Sequence, residues 1–165
     1  MARQRLFLGV SVGPAADGID TALVAIAGRG YEMKVRQVRC AHEELDTALR
    51  KSLFQALNGR SSASGLATLE RQLAAAAAAA SGELSQNGGT GRGGISAVGF
   101  SGELIARERL DGGWAVSEAG CPALLAEMLG LPVVSGFAAC DAAAGGCGGC
   151  AEAWPNWLVF HDRRL

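Results

Sequence analysis

Three apolar segments joined by tight, glycine-containing turns open this chain, and they restrict its fold more than any other feature. The segments are residues 5–12, 19–27 and 31–40. The third alternates apolar residues with charged ones, which is typical of a strand with one solvated face. Gly13-Pro14 and Gly28-Arg29-Gly30 mark the turns between the segments. The pattern therefore predicts an antiparallel meander of three strands.

A helical pattern follows the meander. Residues 42–57 carry leucine at every fourth position, which places these leucines on one helical face. The acidic residues of the first turn, where the helix dipole favours them, are Glu43, Glu44 and Asp46. Asn58-Gly59 predicts the end of this helix.

Two stretches of simple composition come next. Residues 65–80 are rich in alanine and predict a second helix. Residues 81–94 are polar and glycine-rich, but they lack the glycine and lysine spacing of a phosphate-binding loop. They predict a flexible connecting loop.

Shorter elements alternate in the rest of the chain. Residues 95–99 and 131–135 predict strands, and Asp111-Gly112-Gly113 predicts a hairpin. Residues 122–129 predict a short helix that Gly130 ends. This order of elements predicts a mixed α/β domain.

The stretch from Ser135 to Cys150 combines a carboxylate with a glycine-rich turn. Asp141 follows the last predicted strand, and Gly145-Gly146 comes just after it. A carboxylate beside backbone that a ligand can approach closely is a candidate reaction centre, and the same composition also suits a flexible loop. Cys147 and Cys150 form a C-x-x-C pair, a candidate site for a metal or for redox chemistry.

Composition argues against several classes of protein. The formal net charge is −1 and no basic stripe is present, so nucleic acid is not an expected partner. No segment reaches the roughly 18 apolar residues of a membrane helix, and the apolar run at residues 6–12 is too short for a signal peptide. We therefore expect a cytoplasmic protein whose five cysteines are thiols.

Four blocks spread along the chain match the motifs of one enzyme family in order. Residues 8–24, LGVSVGPAADGIDTALV, resemble G-L-M-S-G-T-S-L-D-G-I-D-x-A-L-V. Residues 95–102, ISAVGFSG, resemble I-D-A-I-G-S-H-G-Q-T, and residues 120–127, GCPALLAE, resemble G-D-P-A-L-I-A-E. Residues 133–148, VVSGFAACDAAAGGCG, resemble V-V-S-D-F-R-x-R-D-x-A-A-G-G-Q-G-A-P. Together these blocks resemble the anhydro-N-acetylmuramic acid kinases.

The resemblance implies a fold. Residues 1–165 would form a single RNase H-like lobe of the actin-like sugar-kinase fold, with a mixed sheet, a leading antiparallel meander and flanking helices. Members of the family continue into a second lobe and hold nucleotide between the two lobes. This chain resembles their N-terminal half.

The resemblance also implies a chemistry. Members of the family use ATP, Mg²⁺ and water to open the ring of 1,6-anhydro-N-acetylmuramic acid, a sugar of recycled cell wall, and phosphorylate its 6-oxygen. In that scheme Asp141 is the general base on water. The positions matched to the cofactor-binding turn are Gly13, Asp17, Gly18 and Asp20. The positions matched to the sugar-binding motifs are Ser101, Gly102, Gly145 and Gly146.

The matched positions depart from the family pattern where the chemistry takes place. The family's S-G-T-S reads V-G-P-A at residues 12–15, so its hydroxyl groups are absent and Pro14 has no N–H to donate. Residues 138–140 replace the basic residues that precede the family's aspartate. These changes predict that Asp141 is a relic and that Asp17-Gly18 is an ordinary turn pair.

Three hypotheses follow from these departures. The first is a non-catalytic lobe without a cofactor of its own, which acts as a homo-oligomer or through a larger protein partner covering the face that a second lobe would cover. The second is half of a split kinase that works with a separate C-terminal lobe. The third is a binding module for zinc or iron, or a redox module, at Cys147 and Cys150, with Cys121 and Cys140 nearby.

Overall fold

The computed structural model describes residues 4–13, 15–87, 94–149 and 153–160. Within these ranges the strands are β1 (Arg5–Val12), β2 (Gly18–Ala27), β3 (Lys34–Glu44), β4 (Ile95–Ser101), β5 (Glu103–Leu110), β6 (Gly113–Ala119) and β7 (Val133–Val134). The α-helices are α1 (Thr47–Leu57), α2 (Ala63–Asn87), α3 (Pro122–Leu129), α4 (Phe137–Ala143) and α5 (Ala153–Phe160). A short 3₁₀ turn, Gly30–Glu32, joins β2 to β3.

A mixed sheet of five strands, in the order β3-β2-β1-β4-β7, is the framework of the lobe. β1, β2 and β3 are antiparallel neighbours, so the predicted meander is confirmed. β4 runs parallel to β1, and β7 runs parallel to β4. β5 and β6 form a separate hairpin. The predicted α/β class, with a mixed sheet, a leading meander and flanking helices, is confirmed.

One face of the sheet supports the hydrophobic core. Along β1, Leu8, Val10 and Val12 are buried, and the residues between them are partly covered, as the alternation of a strand requires. α2 lies on this face, and α1 and α3 pack against α2. The three helices contribute almost fully buried leucines: Leu53, Leu69, Leu73, Leu84 and Leu125. The hydrophobic effect therefore holds these helices on the sheet mainly through aliphatic side chains.

α1 begins at Thr47 rather than at His42, so the predicted start of this helix is wrong. β3 runs through Glu44, because its backbone stays paired with β2 as far as Gly18. The two glutamates predicted for the first helical turn therefore lie in a strand. Asp46 caps the helix instead, since its Oδ1 accepts hydrogen bonds from two backbone N–H groups at 2.8 Å each.

α2 is longer than predicted and includes part of the predicted loop. The sequence pattern predicts a helix over residues 65–80 and a loop over residues 81–94, whereas the helix spans Ala63–Asn87. Leu84 is buried in the core, which holds the residues after the alanine run in the helix. Residues 88–93 of the predicted loop lie outside the described residues.

The second half of the chain follows the prediction as far as β7. The hairpin around Asp111 and the helix at residues 122–129 are confirmed, and Gly130 ends that helix in the left-handed conformation with φ 64°. The residues after β7, predicted as a loop, form α4. Asp141 therefore lies in a helix. The small side chains of α4 give no apolar period from which this helix could be predicted.

Aromatic contacts connect α5 to the turn between β2 and β3. The ring of Tyr31 lies 6.3 Å from that of Trp154 and 5.8 Å from that of Trp157, measured between centroids. Such tilted and edge-on pairs are favourable aromatic geometries. Among the described helices, none combines the length and the apolar character needed to cross a membrane.

Candidate functional site

The predicted site residues that belong to the sheet gather at one end of it. β1, β4 and β7 are parallel, so their carboxyl ends meet at the same end of the sheet. The β1–β2 turn, with Gly13, Asp17 and Gly18, lies at this end. Ser101-Gly102 lies there at the end of β4, and Asp20 lies there because β2 runs antiparallel to β1.

Backbone hydrogen bonds inside the β1–β2 turn use two of its N–H donors. The N–H of Gly13 donates to the carbonyl of Gly18 at 2.9 Å, and the N–H of Ala16 donates to the carbonyl of Gly13 at 2.8 Å. Ala16 is fully buried and has a φ of 52°, a left-handed conformation uncommon for residues other than glycine. The turn is therefore anchored to the core in a fixed shape.

This turn offers no hydroxyl groups to the phosphates of a nucleotide. No residue from 12 to 16 carries a hydroxyl group, and Pro14 has no N–H. The Oδ1 of Asp17 lies beside Gly13, 2.6 Å from the position that a Cβ there would take. The Asp17 carboxylate therefore lies directly against the backbone of Gly13.

Asp20 forms an ion pair with His42. The Nδ1 of His42 lies 2.8 Å from the Oδ1 of Asp20, and the register of β2 and β3 places the two residues opposite each other. Gly18 leaves room for the imidazole, since a Cβ there would collide with the ring. The hydrogen bond to Asp20 raises the pKa of His42 above 6.5, against a smaller opposing effect of desolvation. The charges of Asp20, Asp17 and Glu44 act in the same direction as the hydrogen bond.

A polar row crosses four strands on the face of the sheet opposite the core. Strand register places in this row His42, Asp20, Ser11 and Ser101. A second row, of small residues, runs beside it and consists of Cys40, Ala22, Gly9 and Gly99. The two rows line a groove of about 930 Å³, to which Phe137 and Pro155 also contribute.

The lining of the groove is mostly apolar, and the polar row offers hydrogen-bonding groups to a small ligand. Adjacent strands are about 4.8 Å apart, so the polar row extends over roughly 14 Å. Its carboxylate accepts hydrogen bonds, its two serine hydroxyls donate or accept them, and its imidazole can donate or take up a proton. Glycine and alanine in the second row leave the backbone of the sheet open to close approach.

Asp141 holds the glycine-rich loop that follows α4. Its Oδ2 accepts a hydrogen bond from the N–H of Gly148 at 2.9 Å, and its carbonyl accepts one from the N–H of Gly146 at 2.8 Å. A Cβ at Gly146 would collide with the Asp141 carboxylate, and one at Gly148 would collide with Val116 of β6. The carboxylate therefore has a structural role in fastening this loop to α4, and Gly148 brings the loop against the hairpin.

The residues matched to sugar binding fall into two groups. Ser101 lines the groove. Gly102 allows β6 to approach closely, because a Cβ there would collide with the carbonyl oxygen of Ala119. Gly145-Gly146 belongs to the loop that Asp141 holds.

The described cysteines do not assemble a metal site. Within the described part of the chain, no group of three or more His, Cys, Asp or Glu side chains could hold a metal ion, which applies to Mg²⁺ beside Asp20 as well as to zinc or iron. Cys121, Cys140 and Cys147 are free thiols. Cys150, the other member of the predicted pair, lies outside the described residues.

The β5–β6 hairpin carries two partly buried glutamates, Glu103 and Glu118. Burial raises the pKa of both Glu103 and Glu118. Glu118 lines a small cavity of about 190 Å³ with Ser135 and Gly136, which follow β7. A carboxyl group with a raised pKa in a cleft is a candidate proton donor.

Three residues of this region were not predicted from the sequence: Ser11, His42 and Glu118. The alternation of apolar residues in β1 indicates that the Ser11 side chain lies on the face opposite Val10, and this pattern could have identified Ser11. The predicted helix begins at His42, and a helical His42 would not lie opposite Asp20 as it does in β3. The sequence near Glu118 contains no pattern that indicates its burial.

Comparison with known proteins identifies relatives over most of this chain. The family model described as anhydro-N-acetylmuramic acid kinase matches residues 5–164. The anhydro-N-acetylmuramic acid kinase of Bordetella pertussis is 36% identical over 146 residues, which cover 87% of this chain and 37% of that protein. The corresponding protein of Salinibacter ruber is 32% identical over 152 residues, which cover 88% of this chain and 38% of that protein.

A third relative matches almost the full length of the chain. The anhydro-N-acetylmuramic acid kinase of Caldanaerobacter subterraneus subsp. tengcongensis is 27% identical over 166 residues, which cover 96% of this chain and 42% of that protein. The chain thus spans between 37% and 42% of the length of these three curated relatives. Its sheet, a meander followed by two parallel strands, fits the N-terminal lobe of an actin-like sugar kinase. The chain belongs to the anhydro-N-acetylmuramic acid kinase family.

Proposed function

We propose that this lobe does not phosphorylate 1,6-anhydro-N-acetylmuramic acid by itself and acts by binding a protein partner. The β1–β2 turn carries the proposal. The positions matched to the family's S-G-T-S offer no hydroxyl group, and bonds within the turn use the N–H groups of Gly13 and Ala16. Phosphoryl transfer depends on positioning the phosphates and stabilising their charge. A turn that lacks these hydroxyl groups and uses two of its N–H groups internally is poorly suited to either task.

The carboxylate matched to the family's general base supports the same proposal. A general base must lie within about 2.6–3.2 Å of the group from which it takes a proton. The Oδ2 of Asp141 accepts a hydrogen bond from the N–H of Gly148. We propose that holding this loop is the role that Asp141 retains.

A binding role is supported by the apolar surface at the end of α5. Val159 is 56% exposed and Phe160 is 80% exposed. We propose that these two side chains contribute to a surface on which a protein partner associates. We propose the cytoplasm as the compartment, where the cysteines would remain thiols.

A kinase assay on the full 165-residue chain tests the proposal. With ATP, Mg²⁺ and 1,6-anhydro-N-acetylmuramic acid, we expect no sugar phosphate above the protein-free control, and no heat of binding when Mg-ATP is titrated into the chain. The Bordetella pertussis relative serves as the positive control. Turnover by the isolated chain would overturn the proposal.

The polar row favours a second candidate function, half of a split kinase. Asp20, Ser11 and Ser101 can bind a ligand with several hydroxyl groups, as a sugar substrate requires. This function predicts sugar phosphate when the C-terminal part of the Bordetella pertussis relative is added to the chain. Ser101→Ala should reduce that activity, whereas Ser96→Ala, an exposed position on the same strand, should not. A mixture without activity would contradict it.

A further inference from the structure

We propose that the groove on the face of the sheet opposite the core binds a small amphipathic amine, a molecule with a planar apolar body and one cationic nitrogen. The volume of the groove is about 930 Å³, which is at the upper end of the range for pockets that bind drug-sized ligands. The inference goes beyond the proposed function, because it concerns neither the phosphates of ATP nor the apolar surface at the end of α5. It also assigns the groove a ligand of different chemistry from the sugar of the second candidate function.

Small residues make the base of the groove flat. Gly9 and Gly99 lie opposite each other in the parallel pairing of β1 and β4, and Ala22 lies opposite Gly9 on β2. None of these residues has a side chain larger than a methyl group, so the peptide planes of three adjacent strands are open to close contact. A planar apolar body packs well on such a surface, because dispersion attraction is the sum of many close atomic contacts.

An aromatic side chain forms one wall of the groove. Phe137, at the start of α4, lines the groove and is 40% exposed. Its Cζ lies 4.0 Å from the position that a Cβ on Gly99 would take, so the ring stands next to the flat base. Aromatic rings pair favourably with other rings and attract cations to their faces. Both properties suit an aromatic amine.

Charge at one end of the groove favours a cation. Of the described residues that line the groove, Asp20 and His42 can carry a charge. Asp17 and Glu44 lie close enough to His42 for their charges, like that of Asp20, to raise its pKa. This end of the groove is therefore negative when His42 is neutral. A carboxylate accepts several hydrogen bonds, so Asp20 can accept one from His42 and another from a ligand ammonium group.

Asp20 couples the binding of a charged ligand to the protonation of His42. The Nδ1 of His42 lies 2.8 Å from the Oδ1 of Asp20, so a protonated imidazole and a bound ammonium group would interact with the same carboxylate. A cation bound beside Asp20 therefore lowers the pKa of His42, and an anion bound there raises it. The direction of this shift reports the sign of the charge that binds in the groove.

Calorimetric titration of the full chain with three matched indoles tests the inference. On the same ring system, tryptamine carries an ammonium group, tryptophol a hydroxyl group and indole-3-propionate a carboxylate. At pH 8 we expect tryptamine to bind at least about tenfold more tightly than indole-3-propionate, with tryptophol between them. Added salt should reduce this difference, because it screens exposed charges.

An NMR titration of the His42 ring shows whether the ligand binds beside Asp20. Saturation with tryptamine should lower the pKa of His42, saturation with indole-3-propionate should raise it, and tryptophol should change it least. This measurement uses the unaltered chain, so it does not depend on the folding of any variant.

Two pairs of variants separate the effect of charge from that of shape. Asp20→Asn should reduce the preference for tryptamine over tryptophol to less than about twofold, whereas Asp111→Asn, at an exposed position in the hairpin turn, should leave it unchanged. Gly99→Ala places a methyl group on the base of the groove and should weaken the binding of all three indoles. Gly112→Ala, in the same hairpin turn as Asp111, should not.

The outcomes separate this inference from the proposed function. The inference is overturned if tryptamine does not bind, if the three indoles bind equally well, or if tryptamine leaves the pKa of His42 unchanged or raises it. A chain that binds tryptamine as expected and also phosphorylates the sugar by itself overturns the proposed function and leaves the inference intact.

Discussion

The ion pair of Asp20 and His42 is open to water. The side chains of His42 and Asp20 are 43% and 58% exposed, respectively. Exposed pairs of this kind contribute little to folding stability, because water screens both charges. The importance of the pair lies in the groove, where the protonation state of His42 decides which hydrogen bonds it can donate to a ligand.

We predict that the pKa of His42 lies above 6.5 and that Asp20→Asn lowers it. Because the folded-state pKa is raised, the pair stabilises the fold fully below pH 6.5, and this contribution is lost as the pH rises through the folded-state pKa. An NMR titration of the His42 ring measures the shift, with Asp111→Asn as a control in the hairpin turn. Equal pKa values of His42 with and without the Asp20 carboxylate would contradict this account.

The sequence contains both members of this pair but not the geometry that joins them. A tight turn centred on Arg29 would place Val38 opposite Asp20. The 3₁₀ turn at Gly30–Glu32 and an irregularity in the β2–β3 pairing shift the register, so that His42 takes that place. The glycines at positions 28 and 30 predict a turn, but they do not determine its length or the strand register that follows from it.

Among the elements, α1 depends most clearly on one capping residue. Asp46→Ala removes both hydrogen bonds at the start of the helix. We expect this change to lower the free energy of unfolding by about 1 kcal/mol, as measured by urea denaturation followed by circular dichroism. Asp111→Ala should change it by no more than about 0.5 kcal/mol. Equal effects of the two substitutions would show that the cap is not needed.

The boundaries of elements were harder to predict than the elements themselves. Residues 41–44 suit either a strand or a first helical turn, and pairing with β2 decides in favour of the strand. Residues 81–87 look like a loop by composition, and burial of Leu84 keeps them helical. In both places a contact with a distant segment outweighs the local preference.

For the whole molecule, stability depends on the leucines between the helices and the sheet. Leu73 is fully buried, so Leu73→Ala should lower the free energy of unfolding by about 2–5 kcal/mol through lost burial and the cavity that remains. Leu110→Ala, at a residue that is 54% exposed on the hairpin, should change it by no more than about 0.5 kcal/mol. Thermal or urea unfolding of the two variants measures the difference. Similar losses for both would contradict the core described above.

The class of fold could be predicted from the sequence, because alternation in the first strands and the family motifs both indicate it. The groove could not be predicted. Its polar row joins Ser11 on β1 to Ser101 on β4, and 89 positions of the chain separate these residues. α1 and α2 lie between these two strands in the sequence. The parallel register of the strands therefore depends on how the two helices pack in the folded lobe. No local pattern records that packing.

Gly9 and Gly99, side by side on the open face of the sheet, are not needed by the backbone. Neither has a positive φ, and a Cβ would meet nothing closer than 3.7 Å at Gly9 and 4.0 Å at Gly99. Glycine inside a strand costs about 0.5–1 kcal/mol relative to alanine. Glycine at these two positions therefore lowers the stability of this part of the sheet. It also leaves the groove wider than alanine would. Alanine at Gly9 or Gly99 should therefore raise the free energy of unfolding of the lobe and reduce the volume of its groove.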